Sequence, residues 1–312
     1  MANLGQPRTA IQKFMRTKKS EEMRKVSRYI LVAAITLLAG LATDSRAGAS
    51  SDSTAKSDPV SYWTKKWVLS LNGSQASYTN WSQGNNNSVA ATGGNMFNAT
   101  YKRDRYSYDI LLNLRYGQTK INGAEVRKTD DLIHFRNRVN HLLHAKAYTA
   151  YFEVDFRTQF DSGYDKNKVY ISDFMSPGYL QETAGLGYKP VDFVQLQTGL
   201  ALKQTFVADT SLSKRYGVTE GKSLRSEGGF SVGASIKKDI AKNLVLNSNV
   251  QTFTNFLQSV ENTDVMFSNE LTGKINSFMN TNIQFVMMYD RDFNKQIQIK
   301  QVLAVGLSFN VF

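Results

Sequence analysis

The sequence predicts an all-β protein, namely a transmembrane antiparallel up-and-down β-barrel of about 12 strands with an N-terminal signal peptide. Three observations support this prediction. A basic segment and an apolar run stand near the start, apolar and polar residues alternate through most of the remainder, and long connections alternate with short ones. The 312-residue chain has no cysteine and only four prolines. Disulfides and thiolate chemistry are therefore excluded, and long regular strands are favoured.

The first 49 residues have the features of a secretory leader. Arg24, Lys25 and Arg28 precede an apolar run over 29–42. That run is shorter than the roughly 20 residues that a membrane-spanning helix needs, which disfavours the alternative of a membrane anchor. We therefore predict a signal peptide over 1–49, a flexible periplasmic linker over 50–65 and an outer-membrane barrel over 66–312.

The net charge of +12 would be consistent with nucleic-acid binding if it were spread over the folded part of the chain. Residues 1–49 contain nine Lys or Arg and three Asp or Glu, so they carry +6 of this charge. Half of the basic excess thus belongs to the predicted leader. We therefore do not expect a nucleic-acid partner, and the expected environment is a lipid bilayer.

The alternation is clearest between Tyr106 and Tyr116. Tyrosines stand at both ends of one face and aliphatic residues lie between them, while the other face is mostly polar. Such a strand suits a bilayer, because tyrosine favours the headgroup level and aliphatic side chains favour the lipid tails. The same alternation recurs over twelve predicted strands: 66–78, 88–102, 106–117, 130–141, 147–160, 179–189, 193–206, 224–238, 244–256, 265–275, 279–290 and 297–312.

The connections between these strands alternate in length. Long ones such as 118–129, 161–178 and 207–223 interleave with short ones such as 103–105 and 190–192. Long loops at one rim and tight turns at the other are typical of outer-membrane barrels, in which an even strand count places both termini at the periplasmic rim. The chain also ends on an aromatic residue, Phe312, which resembles the terminal signal of barrel assembly. The apolar set that ends at Val311 is one position out of phase with it.

Several motifs resemble an uncharacterised family of outer-membrane barrels, the domain of unknown function 3078. They follow one another over nearly all of the chain after the leader. The motifs are Asn80–Gly84 with Asn87-Ser88, Lys102, Tyr116-Gly117, Lys128–Asp131, Thr158–Phe160, Gly163-Tyr164, Ser172–Leu180, Gly187–Pro190, Lys274–Asn276 and Tyr289-Asp290. The resemblance implies a barrel fold and a bacterial outer-membrane location. It implies no activity. The expected interaction with the outer-membrane assembly machinery rests instead on the terminal aromatic residue Phe312.

Charged residues concentrate on the polar faces of the third to fifth predicted strands. If the apolar faces contact lipid, these residues point inward, together with His134, and opposite charges can pair across neighbouring strands. Such a cluster is either a charged constriction that selects solutes or a salt-bridge network that fills a narrow lumen, and the modest size of the barrel favours the network. The predicted lumen-facing cluster consists of Asp109, Arg115, Asp130, Arg136, Arg138, Glu153, Asp155 and Arg157.

Metal or catalytic chemistry receives little support from the sequence. His134 and His141 are separated by an odd number of positions, so they point to opposite faces of one strand, and His144 follows in a turn. A barrel phospholipase would need a serine beside a lipid-facing histidine, whereas His134 is predicted to face inward. We therefore expect no cofactor, no metal and no enzymatic activity.

Two predicted outer loops are candidates for surface binding. The first contains Asn80, Trp81, Ser82 and Gly84, where an aromatic ring among turn-forming residues either stacks on a sugar or anchors at the membrane interface. The second, 205–222, contains Lys214, Arg215 and Tyr216, and either contacts acidic lipopolysaccharide or is a solvated loop. The sequence thus predicts a narrow passive channel or structural barrel, with a surface-binding barrel as the alternative.

Overall fold

The structure is a computed structural model that describes residues 61–76, 88–121, 124–144, 147–165, 167–292 and 294–312. The predicted leader, most of the predicted linker and the motif with Asn80, Trp81, Ser82 and Gly84 lie outside these ranges. No helix within them is long and apolar enough to cross a membrane.

Twelve antiparallel strands close into one barrel in the order β1-β14-β13-β12-β11-β10-β9-β8-β5-β4-β3-β2. The predicted architecture is therefore confirmed. The barrel strands are β1 (Trp63–Ala76), β2 (Ser88–Arg103), β3 (Tyr106–Ile121), β4 (Arg127–Leu142), β5 (Tyr148–Thr158), β8 (Gly178–Val191), β9 (Val194–Phe206), β10 (Leu224–Ala241), β11 (Leu244–Asn255), β12 (Asp264–Lys274), β13 (Met279–Asp290) and β14 (Asn294–Asn310). Two short strands, β6 (Gly163–Tyr164) and β7 (Tyr170–Ser172), form a separate hairpin between β5 and β8.

Connection lengths alternate around the barrel. Residues 104–105, 192–193 and 242–243 form tight turns at the rim where β1 begins and β14 ends, whereas 159–177 and 207–223 form long loops at the opposite rim. The tight-turn rim is the periplasmic one by the rule for outer-membrane barrels, and the long-loop rim is the outer one. β1 begins at Trp63, within the segment 50–65 that the sequence predicts as linker.

The outward face of the barrel is apolar and exposed. Leu303 is 71%, Leu200 64% and Leu71 55% exposed. In water such a surface would be unfavourable at about 25 cal/mol per Å² of apolar area, whereas in lipid it carries no such cost. Aromatic pairs lie at the periplasmic rim, where the rings of Tyr148 and Tyr188 stack at 4.7 Å and those of Trp63 and Tyr101 lie 5.3 Å apart. These are the marks of a barrel that spans a bacterial outer membrane.

An irregularity in the strand pairing at the end of the chain corrects the offset of one position between Phe312 and the apolar residues of the last strand. Phe309 pairs with Leu69 in the regular register, but the regular pairing stops after Asn310. Trp67 then donates its backbone N–H to the carbonyl oxygen of Phe312 at 3.2 Å and accepts from the N–H of Val311 at 2.8 Å. As a result, the ring of Phe312 packs edge-on against Trp67, at 5.6 Å between centroids. One irregular step thus compensates for the shift of one position in the sequence.

The two longest outer loops fold against each other. In 207–223 a 3-10 helix, η1 (Thr210–Tyr216), is capped by the Asp209 side chain and ends at Gly217, whose φ is +66°. Val207, Leu212, Tyr216 and Val218 form a small core of buried side chains against which Tyr170 of β7 packs. The Tyr216 hydroxyl donates to the Ile171 carbonyl at 2.7 Å. These loops therefore form a packed structure with a hydrophobic core of its own, which we call the outer cap (159–177 and 207–223).

Candidate functional site

The interior face of the barrel is identified by side chains that meet across it. Lys300 of β14 pairs with Asp130 of β4 at 3.0 Å, although three strands separate β14 from β4 in the sheet. Arg157 of β5 reaches Met266 of β12, with 2.9 Å from Nη1 to Sδ. Contacts between strands so far apart can form only through the lumen. Because side chains alternate along each strand, the register then fixes the inward face of every neighbour.

The predicted lumen-facing cluster lies on this inward face, on what we call the β3–β5 wall. Arg115 of β3 pairs with Asp130 of β4, with 3.2 Å between Nε and Oδ2. Asp130 also pairs with Lys300, so one carboxylate lies between two cations. This contact with β14 could not be predicted from sequence, because the two residues are 170 positions apart.

Asp155 is the centre of a second group on the β3–β5 wall. Its Oδ2 lies 2.7 Å from His134 Nε2, and its Oδ1 lies 2.7 Å from Arg157 Nε. His134 is therefore held on the inward face by a carboxylate, away from the lipid-facing surface where a phospholipase would need it. His141 lies on the opposite face of β4, where its ring contacts Tyr106 at 4.6 Å between centroids.

Arg138 and Glu153 form the most buried ion pair of the lumen's β3–β5 wall. They lie directly opposite each other on β4 and β5, their side chains are only 7% and 6% exposed, and Nη1 lies 3.2 Å from Oε2. The guanidinium also donates to the Gln197 side chain of β9 at 2.5 Å and lies over the Tyr151 ring at 3.8 Å. Because Arg138 contacts side chains of β5 and β9 at the same time, this pair holds these strands of the barrel together.

Two members of the predicted cluster do not join ion pairs within the described part of the chain. Asp109 accepts hydrogen bonds from Thr100 at 2.8 Å and from Asn140 at 2.9 Å. Arg136 faces the lumen with its Nε buried and lacks a hydrogen-bonding partner among the described residues. Arg136 is thus a cation of the β3–β5 wall without an ion pair among the described residues.

A second charged group, which the sequence analysis missed, occupies the outer half of β9 to β13; we call it the β9–β13 wall. Lys203 Nζ lies 2.5 Å from Asp264 Oδ2 and 3.4 Å from Asp290 Oδ2. Beside it, Arg225 Nη2 lies 2.7 Å from Glu227 and 2.8 Å from Asp292. Four carboxylates therefore accompany two cations. The polar phase of the predicted strands 193–206 and 224–238 could have indicated Lys203, Arg225 and Glu227.

The two walls enclose a cavity of about 130 Å³ beneath the outer rim. Its polar lining includes Arg157 and Gln181 on one side and Lys203 with its two carboxylates on the other. Its apolar lining includes Phe253, Met266 and Met288. The interior is thus neither filled by apolar side chains nor uniformly charged, and it offers both kinds of contact to a small solute.

The outer cap extends over this cavity's end of the barrel. Arg225 donates to the Gly217 carbonyl at 3.1 Å while it pairs with Asp292 in the turn between β13 and β14. A methyl group at Gly217 would lie 3.0 Å from the Asp292 Cβ. Because β11 and β12 lie between β10 and β13, the loop 207–223 extends over the part of the outer rim formed by β10 to β13. Arg225 therefore links the β9–β13 wall, the outer cap and the turn between β13 and β14.

Lys214 and Arg215, the basic residues of the predicted lipopolysaccharide contact, lie on exposed positions of η1. Their partner in that prediction, Tyr216, is instead buried in the core of the outer cap. Within the described ranges no three His, Cys, Asp or Glu side chains are grouped in a way that could hold a metal ion.

Several solved barrels are similar to this chain in fold. An outer membrane channel from Pseudomonas putida F1 is 9% identical, covers 82% of this chain and 99% of its own, and has a TM-score of 0.39. The translocator domain of the autotransporter NalP from Neisseria meningitidis is 12% identical, with 81% and 89% coverage and a TM-score of 0.34. The outer membrane channel DcaP of Acinetobacter baumannii is 6% identical, with 80% and 96% coverage and a TM-score of 0.34.

No curated protein matches this sequence. One family model does, that of the Protein of unknown function (DUF3078), and it matches residues 74–164. This segment contains β2 to β6 and all eight residues of the predicted lumen-facing cluster. The resemblance seen in the sequence motifs to the family of unknown function DUF3078 is thus confirmed over residues 74–164.

Proposed function

We propose that this protein is a narrow passive channel of the outer membrane whose lumen is constricted by side chains from both walls. The proposal rests on an interior that is lined by polar side chains and stays partly open although many of its charges form ion pairs. Arg157 and Lys300 reach across the lumen, yet a cavity of about 130 Å³ remains between the walls. The proposed activity is permeation and involves no chemical step.

The energetic cost of burying charged side chains favours a channel over a purely structural barrel. Buried ion pairs are often no more stabilising than apolar residues of similar volume, so a sealed barrel gains little from them. Charged side chains are useful where water and solutes must pass, because they replace part of the hydration of a permeating ion. Arg136, which lacks an ion pair within the described residues, supports this interpretation.

Conductance of single purified molecules in a planar bilayer tests the proposal. Discrete and reproducible current steps are expected, with a small amplitude because the lumen is narrow. An informative comparison is Arg136→Gln, in the lumen, against Arg103→Gln, an exposed residue at the periplasmic end of β2 whose partner is the neighbouring Asp104. Only the first should alter the ratio of anion to cation permeability. Silent molecules that are inserted and folded would contradict a channel and favour a structural barrel.

The outer cap supports a second candidate, a surface-binding barrel. Loops that only connect strands need no hydrophobic core, whereas Val207, Leu212, Tyr216 and Val218 give this cap a fixed shape. Replacement of 207–223 by a short turn separates the two candidates. If this variant still conducts but no longer binds a ligand at the cell surface, the binding function is favoured. If only its conductance changes, the channel is favoured.

A further inference from the structure

The pairing between the first and the last barrel strand stops within the sheet, although both strands continue. β1 and β14 pair in regular register over Val68–Gly73 and Val305–Asn310. On their other edges the pairing extends much further, because β2 accompanies β1 to Ala76 and β13 accompanies β14 to Asn294. Within the described part of the chain, the barrel wall is therefore incompletely paired between these two strands towards the outer rim.

Side chains next to this break are exposed on both faces of the sheet. On β14, Val302 points into the lumen in the phase of Lys300 and is 37% exposed, while Leu303 points outward to the lipid. On β1, Ser74 is exposed, whereas Ser70, on the same face within the paired part, is half-buried. Exposure from both sides indicates a passage through the wall, which we call the lateral opening (74–75 and 301–304).

The lateral opening lies at the level of the lipid tails. Ile299 and Ile297 follow it on the outer side of β14, and both point outward and are exposed. The lipid-facing apolar stripe thus continues past the opening. Unpaired backbone N–H and C=O groups are strongly unfavourable in hydrocarbon and are tolerated at this depth only where they line a water-filled cavity. Water in the lumen can supply these partners, so the opening connects an aqueous space with the lipid tails.

From this geometry we propose that the lateral opening is an exit through which solutes pass from the lumen into the membrane. The inference rests on the proposed channel only in so far as the solute enters through the lumen. Gln301 supports it, because this amide lies on the lipid-facing side between Ile299 and Leu303 and is exposed. A strand that only contacts lipid would have an apolar residue there. At the edge of an opening, an amide can instead bind a solute that leaves the lumen.

The rim of the lateral opening defines the class of solute. Val302 and Leu303 provide apolar contacts, while Ser74 and Gln75 provide hydrogen bonds together with the unpaired backbone groups. These rim residues are uncharged, and the ammonium group of the neighbouring Lys300 is paired across the lumen. The exit therefore suits an uncharged solute with an apolar body and one hydrogen-bonding group.

The absence of cysteine from the chain allows the lateral opening to be probed and closed by cross-links. Ser74→Cys with Ala304→Cys, the opening pair, places one thiol on each side of the opening. Ser70→Cys with Ser308→Cys, the control pair, joins residues that are opposite each other on the same two strands. Under mild oxidation we expect the control pair to form its disulfide at least about tenfold faster, because only there are the two backbones held at bonding distance. Equal rates would show a closed wall and overturn the proposal.

Uptake of the dye N-phenyl-1-naphthylamine by intact bacterial cells that produce the protein tests the transport. This dye is uncharged at neutral pH, has one N–H group and fluoresces when it enters lipid. Each cysteine pair is joined with the same bismaleimide spacer after the barrel has folded, so the cross-link does not affect assembly. Joining the opening pair should lower dye uptake to the level of cells that lack the protein, whereas joining the control pair should leave it unchanged. Undiminished uptake with the opening pair joined would overturn the lateral exit.

The two proposals fail in different ways. Conductance in a planar bilayer is measured on the same cross-linked variants, and it should persist when the opening pair is joined. Dye uptake that depends on the lateral opening in a barrel that does not conduct would keep the exit and reject the channel. Conductance without such dye uptake would keep the channel and reject the exit.

Discussion

The β3–β5 wall and the β9–β13 wall hold their charges in different ways. On the β3–β5 wall most ion pairs join adjacent strands, as Arg138 does with Glu153. Arg115 meets Asp130 likewise, although Asp130 also meets Lys300 of β14. On the β9–β13 wall Lys203 meets Asp264 and Asp290, which lie three or more strands away. Arg225 pairs with Glu227 within β10 but also with Asp292 in the turn after β13. The first wall is balanced in charge, whereas the second has more carboxylates than cations. Pairs between adjacent strands hold the sheet together locally, whereas pairs over several strands connect distant parts of the barrel.

The largest expected effect is on the buried pair of the β3–β5 wall. Glu153→Gln should destabilise the barrel by about 3 kcal/mol, because it leaves the Arg138 guanidinium buried without its counter-charge. Asp290→Asn on the other wall should cost much less, since Lys203 keeps Asp264. Equilibrium unfolding in urea with the protein in detergent micelles gives both values. Equal losses for the two variants would remove the distinction between the walls.

A second effect concerns the link from the β9–β13 wall to the outer cap. Arg225→Gln removes the ion pairs to Glu227 and Asp292 and weakens the hold on Gly217, so the loop 207–223 should open more often. We expect trypsin to cleave after Lys214 and Arg215 about tenfold faster, as follows from a more frequently opened loop. Lys237→Gln, at an exposed position near the periplasmic end of β10, is the control and should not change the rate. An unchanged rate in the Arg225 variant would show that the loop is held by its own core.

A third effect concerns the hydrophobic core of the outer cap, to which Tyr216 belongs. Burial raises the pKa of Tyr216 to about 12, while nearby Arg215 opposes this shift. The neutral hydroxyl is therefore favoured in the folded cap, and its unfolded pKa is about 10. This stabilisation is complete below pH 10 and should be lost as the pH rises through about 12. Tyrosinate absorbance is measured as a function of pH for wild type and for Tyr216→Phe. The difference between the two curves should show one tyrosine that ionises at high pH. If the difference appears near pH 10, Tyr216 is exposed in solution.

The same tyrosine also tests the strength of the contact between the two loops. Tyr216→Phe removes the hydrogen bond to the Ile171 carbonyl and should cost about 1 kcal/mol of local stability. Hydrogen exchange of the η1 amides measures this local stability without unfolding the barrel. Exchange that remains as slow as in wild type would show that the apolar contacts alone hold the cap.

The smallest expected effect is at Arg136. Because it has no ion pair with another described residue, Arg136→Gln should leave unfolding unchanged within about 0.5 kcal/mol. It should nevertheless shift the permeability ratio towards cations by about twofold, since it removes a fixed positive charge from the lumen. Reversal potentials in a salt gradient provide the measurement. A loss of stability with no change in permeability would place Arg136 in the structural network instead.

The sequence predicted the barrel closely because its signal is local. A period of two shows in each strand separately, and the ranges predicted for 88–102 and 279–290 agree with β2 and β13 to within one residue at each end. The β3–β5 cluster could be placed for the same reason, since neighbours in a meander pair directly. Where the period ends, the prediction weakens. The sequence did not indicate the β6–β7 hairpin or η1, because a loop packs by contacts that carry no regular spacing.

The sequence by itself determined the all-β architecture, the number of barrel strands and the face that side chains within the regular strands occupy, because alternation is a property of the extended backbone. Only the tertiary structure decided which charges meet across the lumen. Closure brings Lys300 to Asp130 and Arg157 to Met266, and it gathers Lys203 and its two carboxylates from three strands. It also decided the side on which the Phe312 ring packs, through one irregular step after Asn310. These contacts depend on the curvature and shear of the closed sheet, which no local pattern encodes.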